Sequence, residues 1–323
     1  MSDVGDVRIA IVGPGAIGDV HAASLRRLGI TPRAVVGTVA DELAGFAAKH
    51  SVATTYRALD ELLADDTIDG AIVATPSHLH SDQTRQLLDA GKHVLCEIPL
   101  GLTFDDAQSV AACARAAGRT AMGGYTLRYW EPHRRLQSML DDHDIRPTQI
   151  VVRSLMLRQT NVGWTGRQRD WTDNVLWHHG GHSIDAALWH LGASDTVEVR
   201  GAVGPTWPGS GAAMDVAAVL STEDHRFASI TLSYHSRIPA SDFLVITPDH
   251  SFLVTEGRLL MDGDVVYDAG TAADAQTAAI IAQDRAFAEA IVHGTTPDTS
   301  VDVLLPALNV QQTLADLSDP GPR

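Results

Sequence analysis

The sequence contains little lysine, little cysteine and no long apolar run. Lys49 and Lys92 are the only lysines, so nearly every basic side chain is arginine. Cys96 and Cys113 are too few for a disulfide framework and lack the spacing of a metal site, which fits a reducing compartment. No apolar run reaches the roughly 18 residues of a membrane span, and the N-terminus lacks the regions of a signal peptide. We therefore expect a cytoplasmic protein.

Positive charge is also scarce. The net charge is -16 and the isoelectric point is about 5.2, so the overall field repels phosphate backbones and anionic lipids. We predict no nucleic-acid or membrane partner. A small anionic substrate would bind only where arginines overcome this field locally.

The length of 323 residues suits two domains. We predict a dinucleotide-binding Rossmann domain, a doubly wound parallel sheet, over residues 1–123. We predict an α+β domain with a large, mainly antiparallel sheet over residues 124–323, with the C-terminal helix packing back on the first domain. The free face of that sheet is a natural interface for a homodimer or homotetramer.

A glycine-rich turn follows the first predicted strand. The strand 7–12 runs into Gly13-Pro-Gly-Ala-Ile-Gly18, and a helix follows over 20–28. In this context GxGxxG predicts a dinucleotide site, because the glycines permit a tight turn and a close approach of the pyrophosphate. The predicted contacts are Gly13, Gly15, Ala16, Ile17 and Gly18. His21, one turn into the helix, is predicted to be a packed or capping residue.

The end of the second predicted strand, 33–36, bears on the cofactor. Gly37 and Thr38 stand where an NAD-binding fold usually places an acid for the ribose 2′-hydroxyl. Without that acid a 2′-phosphate is not repelled, and Thr38 can donate to it. NADP is therefore the favoured cofactor, with NAD remaining possible, because no arginine follows directly.

Later strand ends are expected to converge on the nicotinamide. Strands 70–74 and 93–96 lead into Thr75-Pro76 with His80, and into Glu97 and Ile98. Cys96 raises the alternative of an aldehyde dehydrogenase with a thiol nucleophile. An apolar strand end and the lack of an adjacent histidine favour a structural cysteine instead.

The second half changes pattern to short strands with short turns. A helix is predicted at 132–140, and the strands are predicted at 148–157, 197–203, 215–220, 227–235, 243–247 and 251–255. Helices at 275–293 and 301–317 complete the chain.

Three histidines lie within five residues, before a carboxylate. On a helix over 175–191, His178, His182 and Asp185 share one face, whereas His179 points off it. Histidines there suit general acid/base catalysis. The alternatives are buried structural histidines, or a metal site that uses His178 and His182 as i, i+4 ligands; we predict no metal.

Arginines flank this segment, with Arg128 upstream and Arg153, Arg158, Arg167 and Arg169 before it. Arginine holds carboxylates with two parallel hydrogen bonds. Arg128 and Arg169, each next to aromatic residues, are the predicted clamps for an anionic substrate.

These motifs resemble the Gfo/Idh/MocA family of two-domain NAD(P)-dependent oxidoreductases. The similarity rests on residues 13–18, Thr75-Pro76 with His80, 91–94, Glu97 with Pro99, and Gly180-x-His182-x-x-Asp185. The family pattern usually has a lysine at position 98 and an aspartate at position 178, where this chain has Ile98 and His178. The resemblance implies that the peptide bond before Pro99 is cis.

Residues 97–100 and 169–185 are most similar to a subgroup that oxidises the cyclic hemiacetal of an aromatic ring-cleavage product to a pyrone dicarboxylate. This implies that His182 or His178 takes the hydroxyl proton and that Asp185 orients a histidine. It implies further that Arg128, Arg169, His179 and Glu97 contact the substrate. A sugar or cyclitol dehydrogenase and a non-catalytic nucleotide-binding sensor are the alternatives.

Overall fold

The computed structural model describes residues 4–161, 171, 174–193 and 197–318. By its internal contacts the chain divides into two units: one runs from the N-terminus to Gly124 and includes 280–305, and the other comprises 125–279 and the residues from 306 onward. No helix in the described ranges is long and apolar enough to cross a membrane.

The first unit is built on a six-stranded sheet. Its strands are β1 (Ile9–Val12), β2 (Ala34–Val36), β3 (Thr54–Tyr56), β4 (Gly70–Val73), β5 (His93–Cys96) and β6 (Ala121–Gly123). Its helices include α1 (Ala16–Arg27), α2 (Ala40–His50), α3 (Leu59–Leu63), α4 (His80–Asp89) and α5 (Phe104–Ala117), with a 3-10 turn at Ser77–Leu79.

All pairs in this sheet are parallel, in the order β3-β2-β1-β4-β5-β6. Strands β1 and β4 are completely buried, as expected for apolar strands covered on both faces. The strand order is that of a dinucleotide-binding fold, in which ligands bind beyond the carboxyl ends of the strands where the order reverses. The predicted Rossmann architecture is confirmed.

The second unit contains an eight-stranded sheet. Its elements begin with a 3-10 turn (Thr126–Tyr129), α6 (Glu131–Asp142), β7 (Gln149–Leu157), a π-helical turn (Leu176–Gly180) and α7 (Gly181–Leu191). The strands that follow are β8 (Glu198–Val203), β9 (Thr206–Trp207), β10 (Ala212–Ala213), β11 (Asp215–Ser221), β12 (Phe227–Ser233), β13 (His235–Ile246), β14 (Ser251–Thr255), β15 (Arg258–Met261) and β16 (Asp264–Asp268). The last helices of the chain are α8 (Ala272–His293) and α9 (Val301–Ser318).

The large sheet has the order β16-β15-β14-β13-β7-β12-β11-β8 and is antiparallel except where β7 pairs with β12. The predicted mainly antiparallel sheet is therefore confirmed. Alternate residues of β11 and β12 are buried, so one face of the sheet carries the core. Helix α7 packs on that face, which fixes the position of its histidines.

Candidate active site

The turn between β1 and α1 has room for a ligand because its glycines lack side chains. Gly13 has φ +106°, and a Cβ there would lie 2.6 Å from the carbonyl oxygen of Ala74, just beyond β4. A Cβ at Gly18 would lie 2.1 Å from the carbonyl oxygen of Gly13. Gly15 caps α1, so the unpaired amides of the first turn are available to a phosphate. The residues present fit a dinucleotide.

The end of β2 carries a cation that sequence reasoning missed. The Nη2 atom of Arg57 donates to the carbonyl oxygen of Thr38 at 2.6 Å. Arg57 follows β3, which pairs in parallel with β2, so an arginine next to Thr38 in space is 19 residues away along the chain. The sequence signal was the position of Arg57 at the end of a strand, but β3 itself was not predicted.

His80 connects the loops that follow β4 and β5. Its Nε2 donates to the carbonyl oxygen of Thr75 and its Nδ1 to that of Pro99, each at 2.8 Å. Carbonyl oxygens only accept, so both ring nitrogens carry hydrogen. Burial opposes this charge, but the neighbouring Cys96 and the two carbonyls outweigh it and raise the pKa of His80 to about 9. The Ile98–Pro99 bond is cis, as predicted.

His21 lies between two carboxylates. Its Nδ1 is 2.8 Å from Asp284 and its Nε2 is 2.9 Å from Glu97, and the imidazole is almost completely buried. Burial alone would lower its pKa, but Asp284 and then Glu97 raise the pKa of His21 to about 10. The predicted packed histidine is therefore an imidazolium that holds Glu97. A Cβ at position 124 would lie 2.7 Å from Glu97 Oε1, so Gly124 leaves room for this carboxylate.

The histidine segment begins with a wider turn than an α-helix. Leu176–Gly180 is π-helical and α7 starts at Gly181. The ring of His179 therefore joins the cluster, with its centroid 4.7 Å from that of His178 and 6.4 Å from that of His182. The prediction that His179 points off the catalytic face was wrong, because it assumed regular α-helical spacing. Turns of this kind are frequent at functional sites.

His178 contacts two residues from the neighbouring strands. The hydroxyl of Tyr234, just after β12, is hydrogen-bonded to its Nδ1, and Arg158 Nη1 lies 2.8 Å from the same atom. Burial, then His179 and Arg158, lower the pKa of His178 well below its ordinary value. Burial, then His182 and Arg158, lower the pKa of His179 to about 3. Both imidazoles are neutral at physiological pH.

Within the described residues, the hydrogen-bond partner of Asp185 is an arginine rather than a histidine. Both of its carboxylate oxygens accept from Arg128, at 2.8 Å each, and the pair is nearly buried. Trp189 also lies against the guanidinium, 5.2 Å from its centre. The expectation that Asp185 orients a histidine is corrected: its observed partner is Arg128, whose charge is already balanced in this unit.

The remaining predicted residues are placed as follows. Ala16 is buried and Ile17 exposed at the start of α1, and the Thr75 hydroxyl donates to Gln83 at 2.6 Å. Arg153 pairs with Asp242 on the sheet. Arg167 and Arg169 lie outside the described residues.

Cys96 is completely buried and donates to the Glu97 carbonyl oxygen, which suits a structural cysteine. Within the described residues no cluster of three or more histidine, cysteine or acidic side chains is arranged to hold a metal.

A Rossmann unit with a glycine cradle, accompanied by a unit that carries clustered histidines, defines an NAD(P)-dependent oxidoreductase acting on CH–OH groups. Residues 7–125 match the family described as "Oxidoreductase family, NAD-binding Rossmann fold", and residues 132–267 match "Bacterial oxidoreductases, C-terminal". The chain belongs to the Gfo/Idh/MocA oxidoreductase family.

Individual relatives cover nearly the whole chain. It is 30% identical to 4-carboxy-2-hydroxymuconate-6-semialdehyde dehydrogenase of Sphingobium sp. over 94% of this chain and 96% of that one. An Agrobacterium radiobacter oxidoreductase solved with NAD+, L-tartaric acid and magnesium matches at TM-score 0.87 and 14% identity, covering 98% and 97% of the two chains. A putative myo-inositol dehydrogenase from Sinorhizobium meliloti matches at TM-score 0.81 and 19% identity, covering 96% and 97%. At these identities the solved structures support the fold alone.

Proposed function

We propose that the protein oxidises the cyclic hemiacetal of 4-carboxy-2-hydroxymuconate-6-semialdehyde to 2-pyrone-4,6-dicarboxylate, with NADP as the oxidant. The observation that carries this proposal is the similarity to the semialdehyde dehydrogenase over nearly the full length of both chains. The residues that depart from the common family pattern, Ile98 and His178, support it, because they remove the lysine and aspartate that suit a sugar alcohol.

A hemiacetal is already an alcohol at the reacting carbon. Its oxidation needs hydride transfer and the removal of one hydroxyl proton, so no thiol nucleophile is required. When bound, the oxidised nicotinamide supplies the hydride acceptor. The buried Cys96 and the absence of a lysine at position 98 both fit this chemistry.

The chain's own task is to take the hydroxyl proton. Three imidazoles lie together at the start of α7, and His182 is the proposed base, with His178 and His179 beside it. A neutral imidazole has a lone pair for a proton at physiological pH. The low pKa values of His178 and His179 leave both rings uncharged, so neither repels a proton on His182.

Recognition of a dicarboxylate requires arginine in a protein with a net charge of -16. Arg128 donates two hydrogen bonds to the carboxylate of Asp185. We therefore assign it mainly to the support of α7. Arg169 remains the proposed carboxylate clamp. Association of copies through the sheet of the second unit also remains a proposal.

NADP is the proposed cofactor because of the end of β2. No acid stands at Gly37 or Thr38, and Arg57 is bonded to the Thr38 carbonyl. A guanidinium there can pair with a 2′-phosphate, for which NAD has no counterpart.

The direct test is to give the purified protein the semialdehyde with NADP or NAD, and to follow the absorbance of the reduced nicotinamide. We expect turnover with NADP and slower turnover with NAD. Turnover on a panel of sugars and cyclitols, with none on the semialdehyde, would replace this function by the sugar dehydrogenase alternative. Cofactor binding without turnover of any of these compounds would favour the sensor.

Substitution of the base has the largest expected effect on the reaction. His182→Asn keeps a polar side chain of similar size but cannot take a proton, and we expect turnover to fall roughly a hundredfold or more. His143→Asn, at an exposed histidine that follows α6, is the matched control and should keep normal turnover. Near-normal turnover of His182→Asn would remove His182 from this role.

A further inference from the structure

His178 has two polar neighbours close to its Nδ1 atom, Tyr234 and Arg158. The Tyr234 hydroxyl is hydrogen-bonded to Nδ1. Nη1 of Arg158 lies 2.8 Å from Nδ1 and 3.4 Å from Nε2. One guanidinium nitrogen close to both ring nitrogens lies against the face of the ring rather than along a lone pair. This cationic nitrogen is therefore nearer Nδ1 than Nε2.

Arg158 is fixed by several contacts. Its Nη2 donates to the side-chain oxygen of Asn161 at 2.7 Å, and its backbone amide donates to the Tyr234 carbonyl at 2.8 Å. Its guanidinium also lies 5.3 Å from the ring of Trp171 and 5.5 Å from that of Tyr234. Tyr234 is completely buried, and its amide donates to the carbonyl of Met214 at 2.9 Å. Both side chains therefore have defined positions beside His178.

This arrangement disfavours a second proton on His178. A guanidinium has only donors and a permanent charge, so an imidazolium against it would place two positive groups in contact. Burial lowers the pKa of His178 in the same direction, with His179 and Arg158 adding to it. His178 is consequently a neutral ring with one hydrogen.

The position of that hydrogen follows from the two neighbours of Nδ1. A phenol is a good donor and its oxygen a weak acceptor, whereas an unprotonated imidazole nitrogen is a strong acceptor. The favourable bond therefore runs from the Tyr234 hydroxyl to Nδ1. The charge of Arg158 also lies nearer Nδ1 and disfavours hydrogen there. Both effects place the hydrogen on Nε2.

We propose that Tyr234 and Arg158 are positioning residues that hold His178 as the neutral Nε2–H tautomer, so that His178 donates a hydrogen bond to a substrate oxygen and does not act as the base. With the cofactor bound, the reacting carbon would give its hydride to the oxidised nicotinamide and the hydroxyl proton would pass to His182, while His178 would keep its own hydrogen. The identity of the substrate oxygen rests on the proposed function. The tautomer does not, because it exists in the protein without substrate.

Nuclear magnetic resonance of the full-length chain labelled with ¹⁵N-histidine tests the tautomer directly. The spectrum of His178→Gln identifies the His178 signals by their loss. We expect a pyrrole-type shift for Nε2, a pyridine-type shift for Nδ1, and no titration between about pH 5.5 and about pH 8. In Tyr234→Phe, which keeps the ring but loses the donor, we expect the Nδ1–H tautomer to become detectable. An Nδ1–H ring in the unsubstituted protein, or one that titrates in this range, would overturn the proposal.

Kinetics test the role assigned to that tautomer. The amide of His178→Gln can donate near the position of Nε2 but cannot act as a base. We expect kcat to fall by less than about tenfold, the scale of one imperfect hydrogen bond, with the acidic limb of the pH profile unchanged. If His178→Gln loses as much as His182→Asn together with that limb, His178 is the base and the proposal fails. If no semialdehyde turnover is found at all, the proposed function fails, while the tautomer is still decided by the spectra.

Discussion

Two buried histidines of the first unit and two of the second are in opposite states of charge. In the first unit each ring nitrogen of His21 faces a carboxylate and each ring nitrogen of His80 faces a carbonyl. In the second unit Nδ1 of His133 lies 2.9 Å from Nε2 of His190, whose Nδ1 is 2.9 Å from the side-chain oxygen of Gln137. Burial is nearly complete in all four cases, so the neighbouring atoms decide the charge.

The direction of each pKa follows from those neighbours. Burial disfavours every imidazolium, but two carboxylates beside His21, and Cys96 with two carbonyls beside His80, reverse the effect and raise the pKa values to about 10 and about 9. Within the described residues the recorded partner of His133 is another imidazole, and burial lowers its pKa to about 3. Burial is likewise the largest cause that lowers the pKa of His190, followed by His133 and Arg128.

The difference corresponds to what each unit is proposed to do. Charged histidines in the first unit act as fixed cations that organise loops and Glu97, and they have no free lone pair for a substrate proton. Neutral histidines in the second unit retain lone pairs, which general base catalysis requires. The comparison therefore supports assigning proton removal to the cluster around His182. Substitution of single buried histidines in either unit tests it.

The largest change in stability is expected from His21→Asn. Loss of the imidazolium leaves Asp284 and Glu97 facing each other without a cation, and removal of one partner from a buried ionic group costs about 3–5 kcal/mol. For a unit of this size the melting temperature should fall by roughly 10 °C. Calorimetry of the variant and the unsubstituted protein measures the shift.

His50→Asn is the matched control for His21. His50 is also buried and also contacts a carboxylate, but its partner Asp19 is additionally bound by Lys49 at 2.6 Å and 2.8 Å. We expect it to lose no more than about 1 kcal/mol. The stability contributed by His21 is complete below its unfolded pKa of about 6.5 and is lost as pH rises through about 10. The difference in the free energy of unfolding between His21→Asn and the unsubstituted protein should therefore become smaller at high pH. Equal losses for both variants would contradict the special role of His21.

For the neutral buried histidines of the second unit, we expect the free energy of unfolding to change with pH in the opposite direction. The folded pKa of His133 lies below its unfolded value, so the unfolded chain binds the proton first and the free energy of unfolding falls as pH drops from about 6.5 towards about 3. One such histidine contributes a slope of at most about 1.4 kcal/mol per pH unit. His133→Gln, which cannot titrate, should make the acid limb less steep.

Urea unfolding across an acidic pH series measures this slope. The exposed control His143→Asn should follow the unsubstituted protein, because substitutions at exposed positions usually change the free energy of unfolding by less than about 0.5 kcal/mol. An acid limb of the same slope in His133→Gln would show that His133 is already charged in the folded state, and the contrast between the two units would not hold.

Local signals explain how much of the fold was predictable. The glycine turn and the alternation of buried strands with helices predicted the first unit, because each depends on neighbouring residues. Strands β15 and β16 were missed although their signal was present: Asp262-Gly263, with φ of 52° and 97°, forms the two-residue turn between them. Strand β3 is only three residues long and partly exposed, so it carries almost no pattern.

The candidate site was less predictable, because its partners are distant along the chain. The histidines themselves were identified, but the π turn that brings in His179 has no counterpart in regular helical spacing. His21 and its partner Asp284 are 263 positions apart, and Tyr234 is 56 positions from His178. Only the fold brings such pairs together, so the charge of His21 and the tautomer of His178 could not be read from local sequence.

The smallest effect on stability is expected for an exposed charge of the first unit. Arg57 is exposed and bonded to the Thr38 carbonyl, and exposed cations contribute about 0–1 kcal/mol. In Arg57→Leu we therefore expect nearly unchanged unfolding. The Kd for NADP should rise roughly tenfold or more, because a hydrogen bond to a charged phosphate contributes about 1.5–3 kcal/mol, whereas the Kd for NAD should stay the same.

Titration with each cofactor separates this role from a general loss of binding. Arg27→Leu, at the exposed end of α1 away from the glycine turn, is the matched control and should change neither Kd. If Arg57→Leu weakens NADP and NAD equally, Arg57 supports the loop rather than the 2′-phosphate. The charge that selects the cofactor must then be sought elsewhere, because within the described residues Arg57 is the cation observed on the Thr38 carbonyl. A selective loss of NADP binding in Arg57→Leu would extend the comparison. Buried cations of the first unit would then stabilise the fold, and the exposed cation Arg57 would select the cofactor.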